Sequence, residues 1–323
     1  MPRPFWPYFG AVRKRSLRPD EEANKLAARQ WGVISRRQAL DIGLTGKQID
    51  DRVRSKRWRV AVRGVYVMAG VPDAWEQHVM VACLAGPDGT AASHLTAAAL
   101  LGLHNPPPVP HVTVSKSASG RFGNALVHRS RTPLDPRDLR YMGPLRCTTP
   151  ARTLVDCAEI LDYGGLCELL DTALCRELAD PAAVHGALSR AARARGRKGT
   201  GLIERALEVW ESGPRPGSPA EMRLLRLLLR WGFPTPERQI AVRDGRGRIV
   251  GRVDLGWSAL KVGFEYDGAE FHGPRRVEHD VRRQKSIEAL GWRLERVRKA
   301  DVRPPATELR RRVDALFQGR QAA

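Results

Sequence analysis

A chain of 323 residues is about twice the roughly 150 typical of one domain, so two or three compact units are expected, each large enough for its own core. With 42% hydrophobic and 28% charged residues the composition is globular, and no stretch reaches the ~18 apolar residues that span a bilayer, which excludes an integral membrane protein of the helical kind. The net charge of +20 points to a polyanionic partner, nucleic acid ahead of acidic lipid.

That charge is unevenly placed. Residues 1–70 carry 16 basic and 6 acidic side chains, residues 71–212 carry 15 of each, and residues 213–323 carry 24 and 14, so two basic ends flank a neutral middle. Residues 1–18 form a basic tail that lacks the apolar stretch of about 7 to 15 residues in a signal peptide, so a cytoplasmic location is expected. Cys83, Cys147, Cys157, Cys167 and Cys175 are odd in number and form no C-x-x-C pair, and they read as reduced core thiols.

Over residues 19–70, a first helix ends near Trp31. Ser35-Arg-Arg-Gln38 and Thr45-Gly-Lys-Gln48 then form two S/T-x-x-Q capping boxes ten residues apart, each satisfying the orphan amides of a helix start. Two short helices joined through Asp41-Ile42-Gly43-Leu44 have helix-turn-helix spacing. Arg57 to Val60 and Gly64 to Val67 alternate as strands around Val62-Arg63, which predicts a β-hairpin wing. Lys47, Arg52, Arg54, Lys56, Arg57, Arg59 and Arg63 crowd the second helix and the wing, the pattern of a duplex-DNA contact surface; Trp58 is expected to pack in the wing or the core. The alternative at this point is a small helical subdomain that binds nothing.

Residues 71–212 read as a neutral, mixed α/β connector. Two stretches there, Ser93 to Leu103 (SHLTAAALLGL) and Arg146 to Asp156 (RCTTPARTLVD), follow the winged helix in an order that resembles the AbiEi-type abortive-infection antitoxin family over roughly residues 20 to 190. The resemblance implies a winged helix that binds operator DNA, a mixed α/β portion behind it, and a partner toxin. Thr149-Pro150 is also a plain helix start, and His94, His104, His111 and His128 lack metal-ligand spacing and are each expected to be structural or exposed.

The Ser-Gly-Pro-Arg-Pro-Gly stretch from Ser212 to Gly217 coincides with the change in charge, so a domain boundary is placed at 213. Residues 213–323 then read as helix, hairpin, strand, helix, strand, helix: a helix from Ser218, strands over 239–243 and 249–257 about an Asp244-Gly245 turn, a strand over 262–267, a helix over 277–290 and a strand over 292–297. In the third strand Val262, Phe264 and Tyr266 share one face, so Glu265 and Asp267 share the other, about 7 Å apart, with Asp254 on the preceding strand. Three carboxylates gathered in a basic domain repel one another unless a cation intervenes, and oxygen ligands favour Mg²⁺ or Mn²⁺. An exposed strand edge ending in an Asp267-Gly268 turn is the plainer account of the same residues.

Glu221, Asp254, Glu265-Tyr266-Asp267-Gly268, His272, Asp280, Arg283 and Gly291-Trp292 together resemble a domain family related to very-short-patch-repair endonucleases, within the PD-(D/E)xK superfamily, over residues 215 to about 317. The resemblance implies a restriction-endonuclease-like α/β sandwich that hydrolyses DNA phosphodiesters with Mg²⁺. On that pattern Asp254, Glu265 and the Tyr266 carbonyl hold the metal, with Glu221 reaching it through water or serving as a helix cap. Asp267 orients water or a second ion, and His272 is the general base or acid. The superfamily's Lys, two places after the second acid, is Asp267 here, and Arg283 or Lys285 on the following helix is the substitute cation. The expectation is therefore a multidomain α/β protein: winged helix, mixed connector, and endonuclease-like domain. Its rival is a non-catalytic regulator or antitoxin whose nuclease-like domain only binds DNA; an RNA-processing enzyme fits the charge but not the winged helix.

Overall fold

The computed structural model describes residues 18–118, 122–130, 134–192, 197–267, 274–298, 300–303 and 305–321, with side chains for all of these but 267, 274–280 and 319–321. The chain forms two compact units, one of residues 1–157 and 186–197, the other of residues 158–185 and 198–323.

The first unit opens with α1 (Pro19–Arg29), which has Pro at its first position and Asp20, Glu21 and Glu22 in its first turn, where acids favour the positive end of the helix dipole. It continues through β1 (Val33–Ser35), α2 (Arg36–Ile42), α3 (Gly46–Arg54), β2 (Trp58–Val62) and β3 (Val65–Met68). Both capping boxes form: Ser35 Oγ accepts from the Gln38 amide at 3.1 Å and Thr45 Oγ1 from the Gln48 amide at 3.2 Å, and each Gln side chain accepts from its partner's amide in return. Gly43, at φ +110°, ends α2 in a left-handed conformation that permits the tight turn into α3. β2 and β3 make the predicted antiparallel hairpin, while β1, too short to show a period, adds a third strand on β3. Ala23, Ala27, Ile34, Ala39, Leu44, Ile49, Trp58 and Tyr66 form the core of this winged helix.

Beyond the wing, α4 (Trp75–Ala85), β4 (Ala91–Ala92), α5 (His94–Leu100), β5 (His111–Ser115), β6 (Leu126–Ser130), a 3₁₀ turn at Pro136–Asp138, β7 (Leu139–Met142), β8 (Leu145–Thr148) and α6 (Pro150–Cys157) follow. The sheet is mixed, in the order β6-β5-β4-β8-β7. Every residue of α6 is buried. Asp138, fully buried, accepts from Arg190 at 2.9 Å and from Arg152 at 3.4 Å; Asp156 accepts from Arg152 at 2.7 Å and from Arg197 at 2.6 Å. All five cysteines are free, and Cys147, Cys157 and Cys167 are buried; burial raises their thiols, Cys147 to about 11, and keeps them protonated and unreactive.

The division between the units falls inside α8 (Pro181–Ala192), which follows α7 (Tyr163–Cys175). The second unit takes in α7, α9 (Thr200–Glu211) and α10 (Pro219–Arg230), then β9 (Glu237–Arg243), β10 (Ile249–Trp257), β11 (Val262–Asp267), α11 (Pro274–Ala289), β12 (Arg293–Arg298) and α12 (Thr307–Gln321). The compact units thus divide the chain elsewhere than at residue 213. Arg226 of α10 hydrogen-bonds Asp171 of α7 at 2.9 Å and the Ala206 carbonyl of α9 at 3.2 Å, so helices before the Gly/Pro-rich stretch pack with the chain after it. Backbone breakers mark a bend there and say nothing about packing.

The sheet of the second unit has the order β12-β11-β10-β9: an antiparallel meander from β9 to β11, then parallel β12, with α11 as the crossover. A Cβ on Gly251 would stand 2.6 Å from the Ile287 side chain of α11, so a larger residue there would force that side chain to shift. The β9–β10 connection runs over residues 244–248, between the strand ends expected from sequence. Asp244 Oδ1 accepts from the amides of Arg246 and Arg248, and Gly247, not Gly245, takes the left-handed conformation at φ +78°.

Replacing Asp138 with Ala leaves Arg152 and Arg190 without their shared buried partner. The expected loss is about 3 to 5 kcal/mol by denaturant unfolding, against less than about 0.5 kcal/mol for Arg54→Ala at an exposed pair.

Candidate functional site

Within the winged helix, the cations named from sequence fall into two groups. Arg52 is buried: its guanidinium engages Asp20 of α1, donates to the Gln48 carbonyl at 2.5 Å and lies 5.7 Å from the Trp58 ring centroid. It is a brace between helices and not an exposed DNA contact, because its place in α3 turns it toward α1. Arg54 is exposed but bound to Asp51 at 2.6 Å, and Asp50 is bound to Arg36 at 3.0 Å. Lys47, Lys56, Arg57, Arg59 and Arg63 are exposed. Among the described residues none of the five has an acidic partner, and Arg57 only donates to Ser55 Oγ at 3.2 Å. Four of the five lie on or beside the wing. Gly64, at φ +81°, closes the wing tip next to Arg63.

In the second unit, β10, β11 and the start of α10 bring acids near one another. Glu221 sits at N3 of α10: its amide donates to Ser218 Oγ at 3.2 Å, and its carboxylate accepts from the Gly217 amide at 2.8 Å, Ser218 Oγ at 3.1 Å and Gln239 Nε2 at 3.0 Å. Asp254 Oδ2 accepts from the Tyr266 amide at 2.9 Å, and Gln239 also approaches its other oxygen at 3.4 Å. Glu265 Oε2 accepts from Arg283 at 3.0 Å, while Arg283 also donates to the Arg252 carbonyl at 2.8 Å. Glu265 Oε1 is buried without a hydrogen-bond partner. Burial raises all three carboxyls, and the Asp254 charge adds to the shift at Glu221 and Glu265.

Glu221 therefore has the capping role in full, and it reaches Asp254 through Gln239. Gln239 carries no local sequence signal for this role; in the structure it stands at a backbone φ of +52°, unusual for a non-glycine residue inside a strand. Arg283 pairs with Glu265 at 3.0 Å, whereas Lys285 is exposed on α11. His272 and the Asp267 side chain lie outside the described residues. Oxygen donors and an orphaned Glu265 oxygen fit a hard divalent cation in kind. Among the described residues, however, no three of these carboxylates bring ligand atoms within 4.8 Å of one another.

A third cluster was invisible in sequence because its members are scattered. His94 and His111 are buried and His128 half-buried; the His94 and His128 rings stack with centroids 3.5 Å apart, and His111 Nδ1 lies 3.0 Å from His128 Nε2. Thr113 donates to Ser93 Oγ at 2.8 Å, which in turn meets His94 Nδ1 at 2.9 Å. Only strand alternation offered a signal, since it puts His111 and Thr113 on one face of β5. His104 is exposed, as expected.

Residues 21–69 match the family described as "Transcriptional regulator, AbiEi antitoxin". The chain is 29% identical over 167 residues to two Mycobacterium tuberculosis proteins, "Uncharacterized protein MT2308" (strain CDC 1551 / Oshkosh) and "Uncharacterized protein Rv2248" (strain ATCC 25618 / H37Rv). Each match covers 51% of this chain and 59% of the relative. No helix among the described residues is long and apolar enough to cross a membrane.

The histidine cluster sets a pH dependence. Burial pushes His94 down to about 3 and His111 to about 4, and also lowers His128. A folded-state value below the unfolded ~6.5 means that stability is fully present above that pH and is lost as pH falls through it, because the unfolded chain binds protons the folded cluster excludes. Urea unfolding of the first unit at pH 5 should show a loss of about 1 to 2 kcal/mol for each of His94 and His111 relative to pH 7.5. The raised carboxyls of the second unit act with opposite sign, favouring the folded state at low pH.

Proposed function

We propose that this chain is a DNA-binding regulator whose winged helix docks on duplex DNA through the wing. The observation that carries this reading is the separation of the cations: those on α3 are largely matched by acids, and those at Lys56, Arg57, Arg59 and Arg63 are not. Unmatched cations on a projecting hairpin are suited to phosphate contacts, which fix position and orientation but carry little base information. The match of residues 21–69 to a family of transcriptional regulators supports the same reading. That family's description also brings in a partner toxin; duplex DNA is the partner for which the geometry argues.

The double substitution Arg57→Glu and Arg59→Glu should weaken binding to unrelated duplexes by a similar factor, at least tenfold, in anisotropy titrations at about 100 mM salt. Arg52→Ala should instead cost about 2 kcal/mol of stability with little change in the salt dependence of binding. The reverse pattern would move the interface from the wing to α3.

A second reading rests on the buried, unpartnered Glu265 oxygen beside Asp254, in a unit ordered helix, three-stranded meander, crossover helix, parallel strand. That arrangement agrees with the endonuclease-like sandwich expected from sequence. In this reading Asp254 and Glu265 hold Mg²⁺ or Mn²⁺, with the Tyr266 carbonyl as a further donor. The cation supplies Lewis-acid polarisation of a phosphoryl oxygen and a more acidic bound water. Arg283, now on Glu265, provides positive charge for the phosphate in place of the absent lysine, and Gln239 orients Asp254. Asp267 and His272 complete the set as water-orienting acid and proton carrier.

Supercoiled plasmid incubated with the intact chain and Mg²⁺ or Mn²⁺, with EDTA as control, tests this reading. Nicking that disappears in Asp254→Asn and Glu265→Gln, with metal-free DNA binding kept or tightened, is the expected result. No nicking with either metal leaves the non-catalytic regulator.

A further inference from the structure

The motif Arg146 to Asp156 has a role that neither DNA docking nor the carboxylate site uses. In β8, Cys147 is buried in the core, and the preceding Arg146 is half-buried on the other face. Arg146 lines a cavity of about 130 Å³ together with Asp88, Gly89, Thr113, Ser115 and Ser130. Gly89, at φ +94°, belongs to a turn in which the Thr90 amide and hydroxyl both hydrogen-bond the Pro87 carbonyl, at 3.0 and 2.7 Å. The Arg146 guanidinium lies over this turn, with Nη1 3.8 Å from the point where a Cβ on Gly89 would stand.

Among the described residues Arg146 has no hydrogen bond or ion pair, whereas Arg152, Arg190 and Arg197 of the same unit are all bound to buried carboxylates. The acid in the cavity wall does not serve Arg146 either: Asp88 is bound to Arg37 of α2 at 2.6 Å. Asp88 is thus engaged from outside, and among the described lining residues Arg146 is the one cation and has no acidic partner. A half-buried guanidinium lining a small cavity of mixed polarity presents a fork of N–H donors matched to a carboxylate or phosphate group.

We propose that this cavity is a binding site for a small oxyanion, held by Arg146 with the Ser115 hydroxyl beside it. Phosphate and carboxylate groups share the required chemistry, and size restricts the ligand to a small molecule. Because Asp88 also anchors Arg37 in the helix preceding α3, the site lies one ion pair from the winged helix, where an effector of a regulator would act if the DNA-binding reading holds. Oxyanion binding itself does not depend on that reading.

The test is calorimetric titration of the intact chain with inorganic phosphate and, separately, with acetate, each against sodium chloride at equal ionic strength. One saturable site is expected for phosphate or acetate beyond the chloride baseline, weakened at least tenfold by Arg146→Gln. The charge-matched control Arg140→Gln, at an exposed position on β7, should retain it. The stronger of the two probes identifies the anion class. Circular dichroism melting of both variants verifies that they fold. Equal weakening by the two variants, or no heat beyond chloride, means an adventitious ion only and overturns the proposal.

Discussion

Arginine outnumbers its acidic partners in this chain, and where each acid goes decides what the remaining cations do. Asp138 and Asp156, both buried, draw in Arg152, Arg190 and Arg197 from α6, α8 and the segment after it. A buried pair of this kind is costly to desolvate and more costly to break, so its main effect is to fix which elements meet. Asp171 does the same in the second unit by holding Arg226, and Asp20 by holding Arg52. With those acids engaged inside, the net charge of +20 is expressed at surface positions that have no acid nearby. The wing is one such place; at Arg146 the acid of the cavity wall, Asp88, is taken by Arg37.

This distribution explains which parts of the fold could be read from sequence. The capping boxes at Ser35 and Thr45 are local patterns four residues long, and both form as written. The strands and crossover helix of the second unit follow from alternation and period, and their bounds shift by only a few residues. Arg52 was misplaced because composition cannot tell an arginine aimed at solvent from one aimed at Asp20, 32 residues earlier. The boundary at 213 was drawn from backbone breakers, and the Arg226 bonds to Asp171 and Ala206 cross it. Contacts of that separation leave no periodic trace.

The candidate sites were legible to different degrees for the same reason. Asp254 and Glu265 lie on neighbouring strands of one meander, so the expected strand order already put them near one another. Gln239 and Arg283, which hold these acids, come from β9 and α11 and needed the tertiary fold. The three stacked histidines come from the start of α5 and from two parallel strands, and their spacing in sequence carries no ligand signature. His94 stands at φ +50°, and its Nε2 is buried without a partner. It is a strained residue held by the surrounding core.

The central claim is that the unmatched cations of the wing, and not the charge-balanced face of α3, meet nucleic acid. Hydrogen-exchange mass spectrometry of the intact chain with and without a mixed-sequence duplex, at about 100 mM salt, tests it most directly. The account predicts slowed exchange in peptides spanning residues 56–64, with smaller changes over 49–55 and none over 138–157. Slowed exchange confined to 49–55, or to the second unit, would contradict it.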